Sequence, residues 1–289
     1  MVLILGTGYI AQAFARELQE RELDYAVLHR KVFDYPNFAT LTARLNFQTP
    51  DLLINASGFC GSPNVDECEA RRSDTLLANV VLPVTIANAA AMMHVPWIHI
   101  SSGCVFNGVS PDGAWTEKDI PNFGFDNPMH SFYSASKAVA ERALAGVRNC
   151  FVCRLRMPFD NIDHPKNLLS KLQRYQKVCD SPPNSLSHLG DSVRACVDLI
   201  KWGAEPGIYN IVNPGSVTNH EIAEMIKVIL NPKFDPEFFK DDLEFYRTAA
   251  KTPRSSCVLS CEKLKATGIK MRNVNEALRD SLKNWKKQP

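Results

Sequence analysis

The stretch VLILGTGYIAQAFARELQ, residues 2–19, constrains the fold more than any other part of the chain. A short apolar run meets Gly6-x-Gly8-x-x-Ala11, and apolar residues then recur at helical spacing. This reads as a strand that turns sharply into an amphipathic helix. Gly6 and Gly8 allow the tight turn and a close approach to a pyrophosphate, which free amides and the helix dipole stabilise; Ala11 is small enough for close packing. As the first strand-helix turn of an alternating chain, the pattern predicts a dinucleotide site.

The alternation continues. VLILG, YAVLH, LLINAS, WIHISS and CFVCRL read as strands separated by helices, so the expected fold class is α/β. We expect a Rossmann-type, doubly wound parallel sheet over residues 1–155. Residues 156–289 are expected to form mainly a smaller substrate-binding lobe, with some segments returning to the first domain. At 289 residues and 45% hydrophobic content the chain can bury a core of that size. The helix TLLANVVLPVTIANAAAMM is very apolar, but Asn79, Pro83, Thr85 and Asn88 interrupt it, so packing on the sheet is expected rather than a membrane span.

Lysine and arginine number 33 against 31 acidic residues, and a net charge of +2 gives no general attraction to nucleic acid or membrane. The amino terminus lacks the pattern of a secretory signal, which points to a cytoplasmic protein. Nine cysteines scattered through apparent strands and helices then read as free thiols. Cys150 and Cys153 lie on an apparent strand and face opposite ways, so they are not expected to hold a metal. The terminal NWKKQP reads as a solvated tail.

Chemistry gathers at strand ends. After the second strand stand His29, Arg30 and Lys31, where NAD-binding folds commonly carry an acidic residue; Arg30 suits a 2′-phosphate, and NADP(H) is the expected cofactor. Tyr133 and Lys137 fall four apart on one face of a predicted helix. A phenol with a pKa near ~10 is a poor acid or base at neutral pH, and a nearby ammonium favours its ionised form. Ser102 supplies a hydroxyl at the end of the fourth strand.

GTGYIA, INASG, LLANVVLP, SSGCVFNG, YSASKAVAE, LRMP and GIYNIVNPGSVTNHEIAEM together resemble the extended short-chain dehydrogenases of the dTDP-4-dehydrorhamnose reductase type. INASGFCGSPNVDECE, NLLSKLQRYQKV and TPRSS are most similar to the bifunctional UDP-4-keto-6-deoxyglucose 3,5-epimerase/4-reductases that make UDP-L-rhamnose. The resemblance implies that Thr7, Tyr9 and Ile10 join Gly6 and Gly8 at the cofactor, with Asn55, Ala56, Ser57 and Asn79 lining it. It also implies that Tyr133 protonates the sugar oxygen at carbon 4, Lys137 holds the ribose, and Ser102 bonds the same oxygen. Asn167 and Arg254 are expected at the substrate diphosphate. The implied substrate is a nucleotide-diphosphate deoxysugar, the implied assembly a homodimer, and a separate enzyme is expected to form the 4-keto sugar.

Epimerisation beside a ketone needs a base on one face of the ring, an acid on the other and donors for the enolate oxygen. In an extended segment residues 102 and 104 point the same way, so Ser102 would hold the ketone while Cys104 reaches an adjacent hydrogen. By the match of NLLSKLQRY, Lys171 would serve the opposite face. A reductase without epimerase activity, a GDP-L-fucose-synthase-like enzyme, and a silent regulatory subunit of this fold are the competing expectations.

Overall fold

The computed structural model describes residues 1–180 and 182–287. Its strands are β1 Val2–Leu5, β2 Tyr25–Leu28, β3 Leu52–Asn55, β4 Trp97–Ser102, β5 Cys150–Leu155, β6 Lys177–Val178, β7 Gly207–Asn210 and β8 Glu237–Phe238. Six form one parallel sheet in the order β2-β1-β3-β4-β5-β7, and β6 pairs with β8 in a small second sheet. β1, β3, β4 and β5 are buried along their whole length, as expected of strands covered on both faces.

Two hydrophobic cores sandwich the sheet. Helices Tyr9–Glu20 and Leu189–Lys201 pack on one face with Ile4, Ile54 and Cys153; helices Phe38–Gln48 and Leu82–Met92 pack on the other with Leu3, Leu53 and Cys150. Cys150 and Cys153 therefore face opposite cores, and all nine cysteines are free thiols. The chain winds outward in both directions from between β1 and β3. That reversal opens the crevice in which such sheets bind ligands.

The apolar helix Arg72–Met92 is long and apolar enough to cross a membrane, with a mean hydropathy of 1.6, yet half of it is buried inside the fold. Ile86, Ala89 and Ala90 face the sheet, while Leu77, Val81 and Met92 face solvent. Its middle, Leu77–Val81, is wound as a π-helix. Such wide turns re-aim side chains at functional sites.

A third core, built from Phe159, Leu169, Leu172, Ile222 and Leu278 among others, lies within residues 156–287. Asp160 ties it to the first helix: its carboxylate accepts from the Tyr9 hydroxyl at 2.7 Å and from the Asn167 amide at 3.0 Å. The segment expected to be a solvated tail is exposed at Asn284, Lys286 and Lys287 but is anchored to the fold. Trp285 packs against this third core, and the Lys286 backbone bonds Asn161 and Asp163, because a segment beside a sheet-like bridge satisfies its amides there. Gln288 and Pro289 lie outside the described residues.

Candidate active site

The glycine-rich turn leaves β1 with Gly6 at a φ of +105°, a conformation open to glycine. A Cβ on Gly6 would sit 3.1 Å from the Ser57 backbone, so this residue lets the β1 turn and the β3 turn touch. Gly8 is exposed and would meet nothing within 4 Å. It caps the helix Tyr9–Glu20 with no side-chain bond, and Gln12 is the first amide to bond back to it. The amides at Tyr9, Ile10 and Ala11 thus stand free at a helix start beside open space. Thr7 is exposed in the same turn. These residues fit a pyrophosphate.

The Tyr9 side chain does not join them. Its hydroxyl is spent on Asp160 and its ring stacks on His164 at 4.5 Å, so only its main chain faces the crevice. Beyond β2, Arg30 is exposed, with no acidic residue between His29 and Lys31. Its charge acts on Tyr35, a buried phenol whose pKa burial raises while Ser57 and Arg30 oppose the rise. Tyr35 was not anticipated from sequence.

The three asparagines expected at the ligands each have their side-chain amide hydrogen-bonded within the protein, where it holds the turns that frame the crevice. Asn55 bonds His99 at 3.1 Å and accepts from the Ser57 amide at 3.2 Å, shaping the Ala56–Ser57 turn from beneath. Asn79, in the π-helical turn, bonds both backbone groups of Phe59 at 2.8 Å and the Ser136 hydroxyl at 3.0 Å. It thereby fastens the loop after β3 to the helix Phe132–Leu144. Asn167 caps the helix Leu168–Arg174 through the Leu169 amide and donates to Asp160 and Ile162. Arg254 likewise has protein partners. Its fork donates to the Asp66 carboxylate at 2.7 and 2.9 Å; burial raises the Asp66 pKa, and the guanidinium more than offsets that and holds it below the usual range.

Tyr133 and Lys137 share the helix Phe132–Leu144, as their spacing requires. The Lys137 ammonium is buried and donates to the Ile100 carbonyl at 3.1 Å; burial lowers its pKa to about 8, with Cys60, Glu141 and Cys104 opposing. The expectation that this cation ionises the phenol is corrected. Burial, followed by the thiols of Cys104 and Cys60, raises Tyr133 well above its ordinary value, and the facing Ser102 hydroxyl offsets only part of the rise. Tyr133 is held protonated, the state that a proton donor needs.

Ser102 and Cys104 do meet at this centre, but not through strand alternation. β4 ends at Ser102, and Gly103–Val105 is a single 3₁₀ turn that the Ser102 hydroxyl caps by accepting from the Cys104 amide at 3.2 Å. A Cβ at Gly103 would lie 2.6 Å from Leu259, so glycine lets the turn sit flat on the chain below. Cys60, not anticipated from sequence, lies near enough to act electrostatically on Tyr133, Lys137 and Lys171. Lys171 is half-buried, and burial, then Lys166 and Arg254, lowers its pKa while Cys60 opposes. Arg156, also unanticipated, donates to the Cys104 sulfur at 3.2 Å. Cys60 and Arg156 both follow the carboxyl ends of strands, which is the signal by which they were open to discovery.

The model for the RmlD substrate binding domain matches residues 1–287. The chain belongs to the RmlD substrate binding domain family. A bifunctional dTDP-4-dehydrorhamnose 3,5-epimerase/reductase of Arabidopsis thaliana is 31% identical over 96% of this chain and 90% of its own. A trifunctional UDP-rhamnose-forming enzyme of the same plant is 32% identical, and there the match covers 40% of the relative's length. Among solved structures, the L780 UDP-rhamnose synthase of Acanthamoeba polyphaga mimivirus superimposes with a TM-score of 0.88 at 22% identity over 98% of both chains. The dTDP-4-dehydrorhamnose reductase of Bacillus anthracis, in complex with NADP, gives 0.80 at 21% identity over 96% of both. As a member of the RmlD family the chain is an oxidoreductase, a 4-keto reductase of nucleotide sugars.

Proposed function

We propose that the chain converts UDP-4-keto-6-deoxy-D-glucose to UDP-L-rhamnose, inverting carbons 3 and 5 and reducing the ketone at carbon 4. The observation that carries this reading is the gathering of a thiol, a protonated phenol and a hydroxyl at one strand edge: Cys104, Tyr133 and Ser102. Reduction alone needs the phenol. A base beside it gives the site a second task. The Arabidopsis relative named for both activities supports that task, and the trifunctional relatives and the mimivirus synthase support uridine over thymidine.

In this reading Ser102 and Tyr133 hold the ketone oxygen, and their hydrogen bonds stabilise the enolate that forms when a hydrogen leaves carbon 3 or 5. Cys104 removes that proton: the C–H bond breaks, its electron pair enters the enolate, and an S–H bond forms. Lys171, from the helix Leu168–Arg174, returns a proton to the opposite face, and its lowered pKa makes it the readier donor. Tyr133 finally gives its proton to the oxygen at carbon 4. NADPH, when bound, supplies the hydride for that reduction. Gly6, Gly8 and the amides of residues 9–11 would hold its pyrophosphate, Arg30 its 2′-phosphate and Lys137 its ribose.

Incubation with UDP-4-keto-6-deoxyglucose and NADPH, with the product identified by NMR, tests the proposal. UDP-L-rhamnose supports it; reduction without inversion overturns the epimerase half.

The cofactor assignments give two expected results. Arg30→Asp replaces a phosphate donor by a carboxylate that suits ribose hydroxyls and repels phosphate. The ratio of kcat/KM for NADPH to that for NADH falls by about tenfold or more, as loss of a charge-assisted hydrogen bond requires; equal use of both cofactors by the wild type removes Arg30 from the role.

Lys137 sets a pH dependence. Its pKa of about 8 in the free protein means that the cation is lost as the pH rises past that value. A ribose partner favours the charged form, so cofactor binding takes up a proton above about pH 8 and weakens as the pH climbs further. Calorimetry in buffers of different ionisation enthalpy measures that proton. Binding by wild type that is flat across this range speaks against the assignment, as does an unchanged slope in Lys137→Met.

A homodimer joined through the helix Arg72–Met92 belongs to the same proposal, since Leu77, Val81 and Met92 are exposed apolar residues on it. Sedimentation at monomer mass overturns it.

A further inference from the structure

Two arginines near the end of β5 meet different fates. Arg154 is buried on one side of the strand and paired with Glu141 through bonds of 2.7 to 3.1 Å. Arg156 is also buried, at 2% exposure, yet among the described residues no carboxylate pairs with it. Its guanidinium donates to the Asn184 side-chain oxygen and the Ser255 carbonyl, both at 2.6 Å, and to the Cys104 sulfur at 3.2 Å. Its Nε is buried with no partner. A buried cation held only by neutral groups is costly, and it gains most when a partner becomes an anion.

Cys257 is the other sulfur beside Arg156, and it is held as a thiol. It donates to the Gly103 carbonyl at 3.3 Å, and burial pushes its pKa up. Cys104 is the remaining candidate. It is partly exposed, it acts electrostatically on Tyr133, and the guanidinium stands 3.2 Å from its sulfur. The geometry is built in, because the Gly103 position lies 3.3 Å from the Arg156 stem, measured from where a Cβ would be. The titratable groups facing Cys104 are Tyr133 and Lys137 from the helix, Arg156 from the end of β5, and Cys257 from the carboxyl-terminal stretch.

We propose that Arg156 is a positioning residue for carbon-acid exchange: its guanidinium is the counter-cation of the Cys104 thiolate and aims that sulfur at the sugar. The inference rests on the reading of Cys104 as the base. When the thiolate takes the proton, the charge passes to the enolate oxygen near Ser102 and Tyr133; Lys171 then protonates the carbon and becomes neutral, and loss of the Cys104 proton to solvent with reprotonation of Lys171 from solvent restores thiolate and ammonium. Arg156 touches neither substrate nor cofactor in this scheme.

The test uses the whole enzyme and two readouts. Iodoacetamide modification of Cys104 is followed by peptide mass spectrometry at neutral pH, with exposed Cys60 as the internal reference. Deuterium entry at carbons 3 and 5 is followed in deuterated water, as a ratio to reduction in the same sample. In Arg156→Gln, modification of Cys104 falls about ten- to a hundredfold while that of Cys60 holds, as loss of a charge-assisted bond requires. The exchange ratio falls with it, and raising the pH restores both.

Arg156→Lys keeps the cation and retains most of the reactivity; this variant carries the test if the glutamine protein does not fold. Unchanged Cys104 modification in Arg156→Gln overturns the proposal. So does equal loss in Arg156→Lys, which would mean that shape and not charge matters, or a loss that higher pH does not restore. Cys104→Ser separates the two readings. If it leaves exchange intact, the base assignment itself falls; if it abolishes exchange while Arg156→Gln does not, Arg156 falls alone.

Discussion

Tyr133→Phe lowers kcat for ketone reduction by about 10²–10⁴-fold, the usual contribution of a positioned acid. The phenol is protected from ionisation by its own surroundings: burial and the neighbouring thiols raise its pKa, and Ser102 only partly relieves them. In the proposed reaction it therefore holds the proton that the alkoxide at carbon 4 requires. Phenylalanine keeps the ring and the helix Phe132–Leu144, with its reciprocal Ser131 and Ser134 cap, and loses only the proton. Cofactor affinity, measured by fluorescence titration, stays near the wild-type value because Lys137 and the glycine turn are untouched. Turnover near the wild-type rate would remove Tyr133 from the chemistry.

Cys104→Ser has a different signature. The variant still reduces a ketosugar that is already in the L-configuration, but it fails to convert UDP-4-keto-6-deoxyglucose to UDP-L-rhamnose. Serine preserves the 3₁₀ turn, whose bond runs from the residue 104 amide to Ser102, and offers a far weaker base. Wild type in deuterated water acquires deuterium at carbons 3 and 5; the variant loses that exchange by about 10²-fold or more. Lys171→Met gives a similar separation, since inversion needs a donor on the opposite face and reduction does not. Wild type that places no deuterium at either carbon and yields only the unepimerised sugar would make Cys104 a packing residue and the protein a plain reductase.

What could be read from the linear chain was local. The strands of the parallel sheet showed as near-continuous apolar runs because both faces are buried, and the turn at Gly6 and Gly8 showed because few residues other than glycine allow that path. Tyr133 and Lys137 could be paired because four residues make about one helical turn. Direction and charge were not local. Asn55, Asn79 and Asn167 can be singled out in one dimension, but their partners His99, Ser136 and Asp160 are brought by other elements.

The sequence by itself determined the doubly wound fold, the place of the nucleotide turn and the presence of a hydroxyl, a phenol and a thiol at the strand ends. Tertiary structure decided how Ser102 and Cys104 meet, since alternation stops where β4 gives way to a 3₁₀ turn. It also decided that Arg154 finds Glu141 while Arg156, two residues on, finds a sulfur. The physical reason is that a side chain's charge state depends on which groups share its buried space, and those groups come from segments far apart in the chain.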